Sequence, residues 1–237
     1  MAVEPVPESQ AAIDGFKRAA AERAVAMITN GMLVGLGSGT TAEFALAALA
    51  ARIAGGLRMS GVPTSERAAD LARKYGVPLM PFDGRPIDLA IDGADEIERH
   101  TLNLIKGGGG SLVREKLIAR ASRRFIVIAD ERKLVDRLGV HRPLPVALLP
   151  FARLLALREL AALGVTGTIR QVGDRDFVTD DGLIVADCIC GAIADPAALA
   201  ARIAAIPGVV ENGLFLGLAA EAIVAGGAGV RVLLPSK

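Results

Sequence analysis

Met32-Leu-Val-Gly-Leu-Gly-Ser-Gly-Thr-Thr41 runs directly into Ala42-Glu-Phe-Ala-Leu-Ala-Ala-Leu-Ala-Ala-Arg-Ile53. The stretch up to Leu36 is a short apolar run suited to a buried strand. Gly37 to Thr41 is a turn, and the Ala/Leu-rich stretch after it has helical composition. Strand, glycine turn and helix in that order predict a unit of a doubly wound α/β sheet. Upstream, Ile13, Phe16, Ala20, Val25 and Ile28 recur at helical spacing among charged residues over 11–28, and Asn30-Gly31 ends that helix. Downstream the pattern recurs in kind. Leu57 to Gly61 reads as a strand, Ser65-Glu66 opens a helix to about Lys74, and Pro78 to Pro81 reads as a short strand. Ile87 to Ile91 leads to Asp92, a helix starts near Leu112, and Phe125 to Ala129 is a buried strand ending at Asp130. Alternation of this kind implies right-handed crossovers and a largely parallel, Rossmann-like sheet with helices on both faces. Ligands bind such sheets beyond the carboxyl ends of the strands. Ser38 to Thr41, Thr64-Ser65, Asp92 to Glu96 and Asp130 to Lys133 all take that place.

The style changes at His141-Arg-Pro-Leu-Pro145, where prolines bound a short strand. Beyond it, Phe151 to Leu163 reads as a helix, Thr166 to Val172 as a strand, Asp180-Asp-Gly182 as a hairpin turn, Leu183 to Ile189 as the partner strand, and Pro196 to Ile206 as a second helix. Val209-Val210 and Leu214-Phe215 resume strand character. Residues 141–211 are therefore expected to form a smaller α+β, ferredoxin-like domain. Ala222 to Ala225 and Val230 to Leu234 should return to the first sheet, so that 1–140 and 212–237 form the main domain and the second is an insertion.

Composition narrows the functions open to this chain. Its 237 residues are 52% hydrophobic and 22% charged, enough to bury a substantial core. Lys plus Arg number 27 against 26 Asp plus Glu, a balance unsuited to a nucleic-acid surface, which needs a basic patch to neutralise phosphates. The densest basic group, Arg120, Arg123 and Arg124, reads as a solvated face before a strand. Trp is absent and aromatic residues make up 3%, so stacking on bases or sugar faces should not organise a site. Cys188 and Cys190 lie two apart in a strand-like run and read as small hydrophobes. His100 and His141 are isolated, and no metal motif is present. Met1-Ala-Val-Glu-Pro5 has neither a basic n-region nor an apolar h-region, and no apolar run is long enough to span a bilayer. A cytoplasmic location without membrane attachment is the expectation.

Two segments carry the chemistry. In Lys106-Gly-Gly-Gly-Gly-Ser-Leu-Val-Arg-Glu-Lys116, four glycines precede a charged helix start. Glycine is costly to order, so a bare backbone here implies a need for exposed N–H groups, beside which Lys106 supplies point charge for a small oxygenated anion. Asp92-Gly-Ala-Asp95-Glu96 places three carboxylates in five positions, too many like charges for an unpartnered dry turn, and one of them is expected to pair with Lys106. Asp92 is expected to face a site; Glu96 reads as solvated or as a helix start. Positions 111 and 115 share a helix face, which lets Glu115 point back to the glycines while Leu112 anchors the helix to the sheet. Taken alone, Glu115 reads as a surface helix residue. Ser38, Thr40 and Thr41 offer hydroxyls fitted to a terminal phosphate; capping of the following helix by Ser38 or Thr40 is the alternative use.

Together with Pro63-Thr-Ser65, Ile128-Ala-Asp130 plus Lys133, Ile206-Pro-Gly-Val-Val210 and Gly213-Leu-Phe215, these motifs resemble the ribose-5-phosphate isomerases of the A type, in order over nearly the whole chain. The resemblance implies reversible conversion of D-ribose 5-phosphate to D-ribulose 5-phosphate through a cis-enediol, with Glu115 moving the proton between C1 and C2. It implies substrate contacts from Ser38, Gly39, Thr40 and Thr41, from Asp92, Gly93, Ala94 and Asp95, from Lys106, Gly107, Gly108 and Gly109, and from Lys133, with Lys17 a candidate phosphate contact. Asp92 or Asp95 would assist ring opening, and Lys106 would stabilise charge on the reacting oxygens. No cofactor or metal is implied, the partner is a small phosphorylated sugar, and the assembly is a homodimer built with help from the inserted domain. Ser111 and the length of the Arg170 to Asp181 segment depart from the family pattern. A nicotinamide-dependent dehydrogenase fits less well, because Thr40 stands where a third glycine would and Gly61-Val-Pro-Thr-Ser65 lacks the acidic residue that closes the second strand. A sugar-phosphate sensor on the same sheet could dispense with Glu115.

Overall fold

The computed structural model describes residues 9–236; the reading of Met1 to Pro5 lies outside them. Six strands form the central sheet, in the spatial order Gly229–Leu233, Glu221–Gly226, Phe125–Asp130, Leu89–Asp92, Leu33–Leu36, Ser60–Pro63. All neighbours are parallel except the Gly229–Leu233 edge, which pairs antiparallel with Glu221–Gly226. The four inner strands are buried on both faces, while the Gly229–Leu233 edge is exposed, and side-chain alternation sorts the inner strands into two cores. Ile126, Ile128 and Ile223 face helices α1 (Gln10–Val25) and α2 (Thr40–Ala54). Phe125, Val127 and Val224 face the other way, against α4 (Leu112–Ala121) and a second layer. Between α2 and α4 in the chain, α3 (Glu66–Lys74) is capped by the Ser65 hydroxyl, which accepts from the Ala68 N–H at 3.0 Å.

That second layer is a small mixed sheet ordered Leu214–Phe215, Leu104–Ile105, Glu96–Glu98, Leu134–Val135, which the sequence pattern did not reveal: its strands are two or three residues long, below any readable period. The strand expected at 57–61 is found at Ser60–Pro63, because Gly55 and Gly56 are still closing α2 and the Leu57 N–H bonds back to the Arg52 carbonyl at 3.0 Å. Pro78 to Pro81 supplies only a bridge from Leu79 to Gly61; the two prolines lack the N–H groups a strand needs.

A third sheet, wholly antiparallel, is ordered Val209–Asn212, Leu144–Leu148, Ile184–Ile189, Thr166–Ile169. With α5 (Arg153–Ala162) after its first strand and α6 (Pro196–Ala204) after its third, it has the βαββαβ order of a ferredoxin-like unit. The strand expected to run to Val172 stops at Ile169. The chain then leaves the sheet as a ribbon pairing Gln171–Val172 with Arg175–Asp176 before the turn at 180–182. Cys188 is buried in this unit's core, Cys190 packs against it, and burial pushes both thiols up, to about 12 and about 11. Among the described residues no helix is long and apolar enough to cross a membrane.

Candidate active site

Parallel pairing of Leu33–Leu36 with Leu89–Asp92 sets the loop after Leu36 beside Asp92, and the Gly37 N–H donates to the Ile91 carbonyl at 2.9 Å. A Cβ at position 37 would stand 2.2 Å from Asp92 Oδ1, so only glycine lets the two strand ends lie this close. Asp92 Oδ1 then accepts from the N–H groups of Ser38 at 3.1 Å and Gly93 at 2.7 Å. Its Oδ2 lies 3.0 Å from Lys106 Nζ, the pairing expected for this acidic turn.

Lys106 follows the strand Leu104–Ile105 and its side chain is 3% exposed. Nζ donates to the Gly93 carbonyl at 2.7 Å and lies 3.3 Å from Glu115 Oε2. Glu115 sits in the first turn of α4, 5% exposed, which corrects its solitary reading as a surface helix residue. Its Oε1 accepts from the Ser38 hydroxyl at 2.7 Å, while Oε2 is buried and accepts no hydrogen bond. Leu112 does not anchor α4 to the central sheet. It packs on Ala147 and Val185 of the ferredoxin-like unit, and Ile118 and Ala119 make the contact with the central sheet instead. Helix α4 is wedged between the two.

Two carboxylates and one ammonium in a dry site leave one negative charge uncompensated. Burial pushes the Asp92 carboxyl up to about 7, with Lys106 opposing that rise and Glu115 adding to it. Burial alone would lower the Lys106 ammonium, but the charges of Asp92 and Glu115 outweigh it and hold its pKa above the usual lysine value. The ammonium thus stays charged, and the Asp92 carboxyl can hold a proton near neutrality.

A cavity opens over this cluster. Every residue expected at the site lines it, from Ser38 to Thr41, Gly93 to Asp95, Lys106 to Gly109, Glu115 and Lys133, with two exceptions. Asp92 lies behind Lys106, 3% exposed, and does not line the cavity. Lys17 donates to Thr40 Oγ1 at 3.3 Å from outside it. Neither Ser38 nor Thr40 caps α2, whose N-cap is Gly39. Asp95 Oδ2 accepts from the Gly108 N–H at 2.8 Å, tying the acidic turn to the glycine turn. Lys133 follows Asp130 in a short 3-10 helix at the end of Phe125–Asp130; burial first and the Arg142 charge second hold its ammonium below the usual lysine value. A larger groove lies along α3 and α4 over Leu79, Phe82 and Leu117. Its Glu66 and Asp181 are both engaged by Arg114, so the acids there are already paired.

Glu96 is neither solvated nor at a helix start. It lies in the strand Glu96–Glu98 with 1% exposure, and its two oxygens accept from the N–H groups of Gly139, His141 and Arg142 at 2.6, 2.6 and 2.8 Å. No local pattern announces this, since the partners lie more than forty positions away. The same holds for Arg170, which reaches the glycine turn from the ferredoxin-like unit.

Residues 60–229 match the family model described as ribose 5-phosphate isomerase A (phosphoriboisomerase A). The chain is 52% identical to the ribose-5-phosphate isomerase A of Roseiflexus castenholzii over 91% of its length and 93% of that protein's. It is 49% identical to that of Gloeobacter violaceus over 94% and 98%. Among solved structures it resembles the Methanocaldococcus jannaschii ribose 5-phosphate isomerase A with a TM-score of 0.88 at 39% identity, covering 92% of this chain and 97% of that one. A D-ribose-5-phosphate isomerase solved in complex with phospho-erythronic acid gives 0.90 at 36%, covering 94% and 99%.

Proposed function

Because the chain belongs to the ribose 5-phosphate isomerase A family, which interconverts ribose 5-phosphate and ribulose 5-phosphate, we propose that Glu115 is the single base that carries the proton between C1 and C2. The observation that carries this reading is Glu115 Oε2, a buried carboxylate oxygen at the cavity with no hydrogen bond and a lysine ammonium 3.3 Å away. Its partner oxygen is fixed by the Ser38 hydroxyl, which sets the direction of the free lone pairs.

The phosphate is held where α2 begins. Free N–H groups at the start of that 15-residue helix and the hydroxyls of Thr40 and Thr41 face it, with Lys17 and Lys133 supplying charge. Asp95 lines the cavity and Asp92 does not, which favours Asp95 for moving the ring-opening proton. In the open chain, Glu115 removes the C2 proton of the aldose. Electron density moves through the new C1–C2 double bond onto the carbonyl oxygen, giving the cis-enediolate. The C2 hydroxyl proton then passes to the C1 oxygen, so that the negative charge sits on O2, and re-formation of the carbonyl at C2 with return of the proton from Glu115 to C1 yields the ketose. When Glu115 takes the proton its charge disappears, and a negative charge appears on the substrate oxygen. Lys106, held by Asp92 and the Gly93 carbonyl, changes partner from the one to the other without moving far.

In Glu115→Gln the turnover of ribose 5-phosphate should fall by at least about 100-fold, while phospho-erythronic acid still binds. Near-normal turnover would remove Glu115 from this role. We also read residues 141–211 as an inserted domain and the protein as a cytoplasmic homodimer. Support for the dimer comes from the fully exposed Phe151 and the 80% exposed Leu154 on that unit, apolar surface of the kind that association covers.

A further inference from the structure

The segment 170–181, noted above for its length, reaches from the ferredoxin-like unit to the glycine turn and the start of α4. Arg170 Nη1 donates to the carbonyl oxygens of Gly107 at 3.2 Å and Gly108 at 3.0 Å. Its Nε and Nη2 hold the Asp187 carboxylate at 2.9 and 2.6 Å, so the guanidinium is a fixed fork rather than a free charge. The Phe177 ring, 5.5 Å from that guanidinium, fills the place a side chain at Gly110 would need. Asp181 accepts from Arg114, the residue before Glu115, at 2.9 Å.

A trans peptide sends its carbonyl and its N–H in opposite directions, and no described peptide bond is cis. In the 107–108 peptide the carbonyl meets Arg170 and the N–H meets Asp95. In the 108–109 peptide the carbonyl again meets Arg170, which turns the Gly109 N–H away from Arg170; Gly109 itself lines the cavity. Among the described residues nothing accepts from that N–H.

We infer that Arg170 is a positioning residue for the isomerisation: anchored by Asp187, it holds the carbonyls of Gly107 and Gly108 so that the Gly109 N–H is aimed beforehand at the substrate oxygen that gains charge. Without it, a run of four glycines would have to be ordered during the reaction itself. The inference rests on the reading of this cavity as the site of isomerisation given above.

The test is Arg170→Met in the full chain. Turnover should fall by roughly 10- to 100-fold with KM changed by less than about threefold. Affinity for phospho-erythronic acid, whose carboxylate offers anionic oxygens, should fall by a similar factor while affinity for inorganic phosphate stays. Asp187→Asn, which loosens the anchor and leaves Arg170 in place, should show the same pattern at smaller size and serves if the first variant does not fold. Wild-type turnover in the variants, or equal losses of phosphate and phospho-erythronic acid affinity, would overturn the assignment. Glu115→Gln keeps the two readings apart: normal turnover there strikes the base and leaves Arg170 standing, whereas a slow Glu115→Gln beside a normal Arg170→Met strikes only Arg170.

Discussion

Asp92 is a carboxylate enclosed beside one ammonium and one further carboxylate, and its titration should register in stability. Its folded value near 7 lies above its free value of 3.8, so the folded state holds a proton the unfolded state has released between those values. The stability associated with that proton is fully present below about 4 and is lost as pH rises through 7. Asp92→Asn lacks this titration. Lowering pH from 8 to 5 should therefore shift the balance toward wild type by on the order of 1 kcal/mol or more, read as the difference between the two melting temperatures. A constant difference would show that Asp92 stays ionised. Glu96 makes the opposite case, a carboxylate held by three N–H donors; Glu96→Gln should destabilise the fold by about 1.5–3 kcal/mol in denaturant titrations. At this scale the pairing of Lys106 with the acidic turn was legible because unusual residues crowd together in sequence, whereas Glu115 on its own looked like a surface helix residue and Asp92 proved to lie behind Lys106. Glu96 was not legible, since a buried acid satisfied by distant backbone looks in sequence like any surface acid.

Among the elements, α4 decides most. One end packs on the central sheet through Ile118 and Ala119, the other on the ferredoxin-like unit through Leu112, and Glu115 stands between the contacts. Leu112→Ala removes a side chain with no exposed surface and should cost about 2–5 kcal/mol of stability. It should also lower turnover, because the helix carrying Glu115 loses one of its two supports; full turnover per folded molecule would show that one support suffices. The helices and the long buried strands were readable from period and from their capping or glycine signals. The mixed sheet of two- and three-residue strands was not, because such strands are specified by what they meet and not by their own pattern.

At the scale of the molecule, the ferredoxin-like unit reaches the chemistry through Arg170 and the outside through Phe151 and Leu154. If the homodimer reading holds, Phe151→Ser with Leu154→Ser should yield a monomer by sedimentation with its fold intact; an unchanged oligomer would place the contact elsewhere. The βαββαβ order itself was foreseeable from the sequence, whereas the ribbon at 171–176 was not, because it depends on the chain leaving a sheet it could equally have continued. The pairing of Phe125–Asp130 with Glu221–Gly226 has a consequence in time. Residues 131–220 are synthesised after the first of these strands and before the second, so throughout that interval Phe-Ile-Val-Ile-Ala waits at an open sheet edge for its neighbour. Such an edge is an invitation to foreign strands. The nascent chain should therefore depend on chaperone shelter at this stage more than at any other, and a ribosome stalled before residue 221 should release an aggregating product.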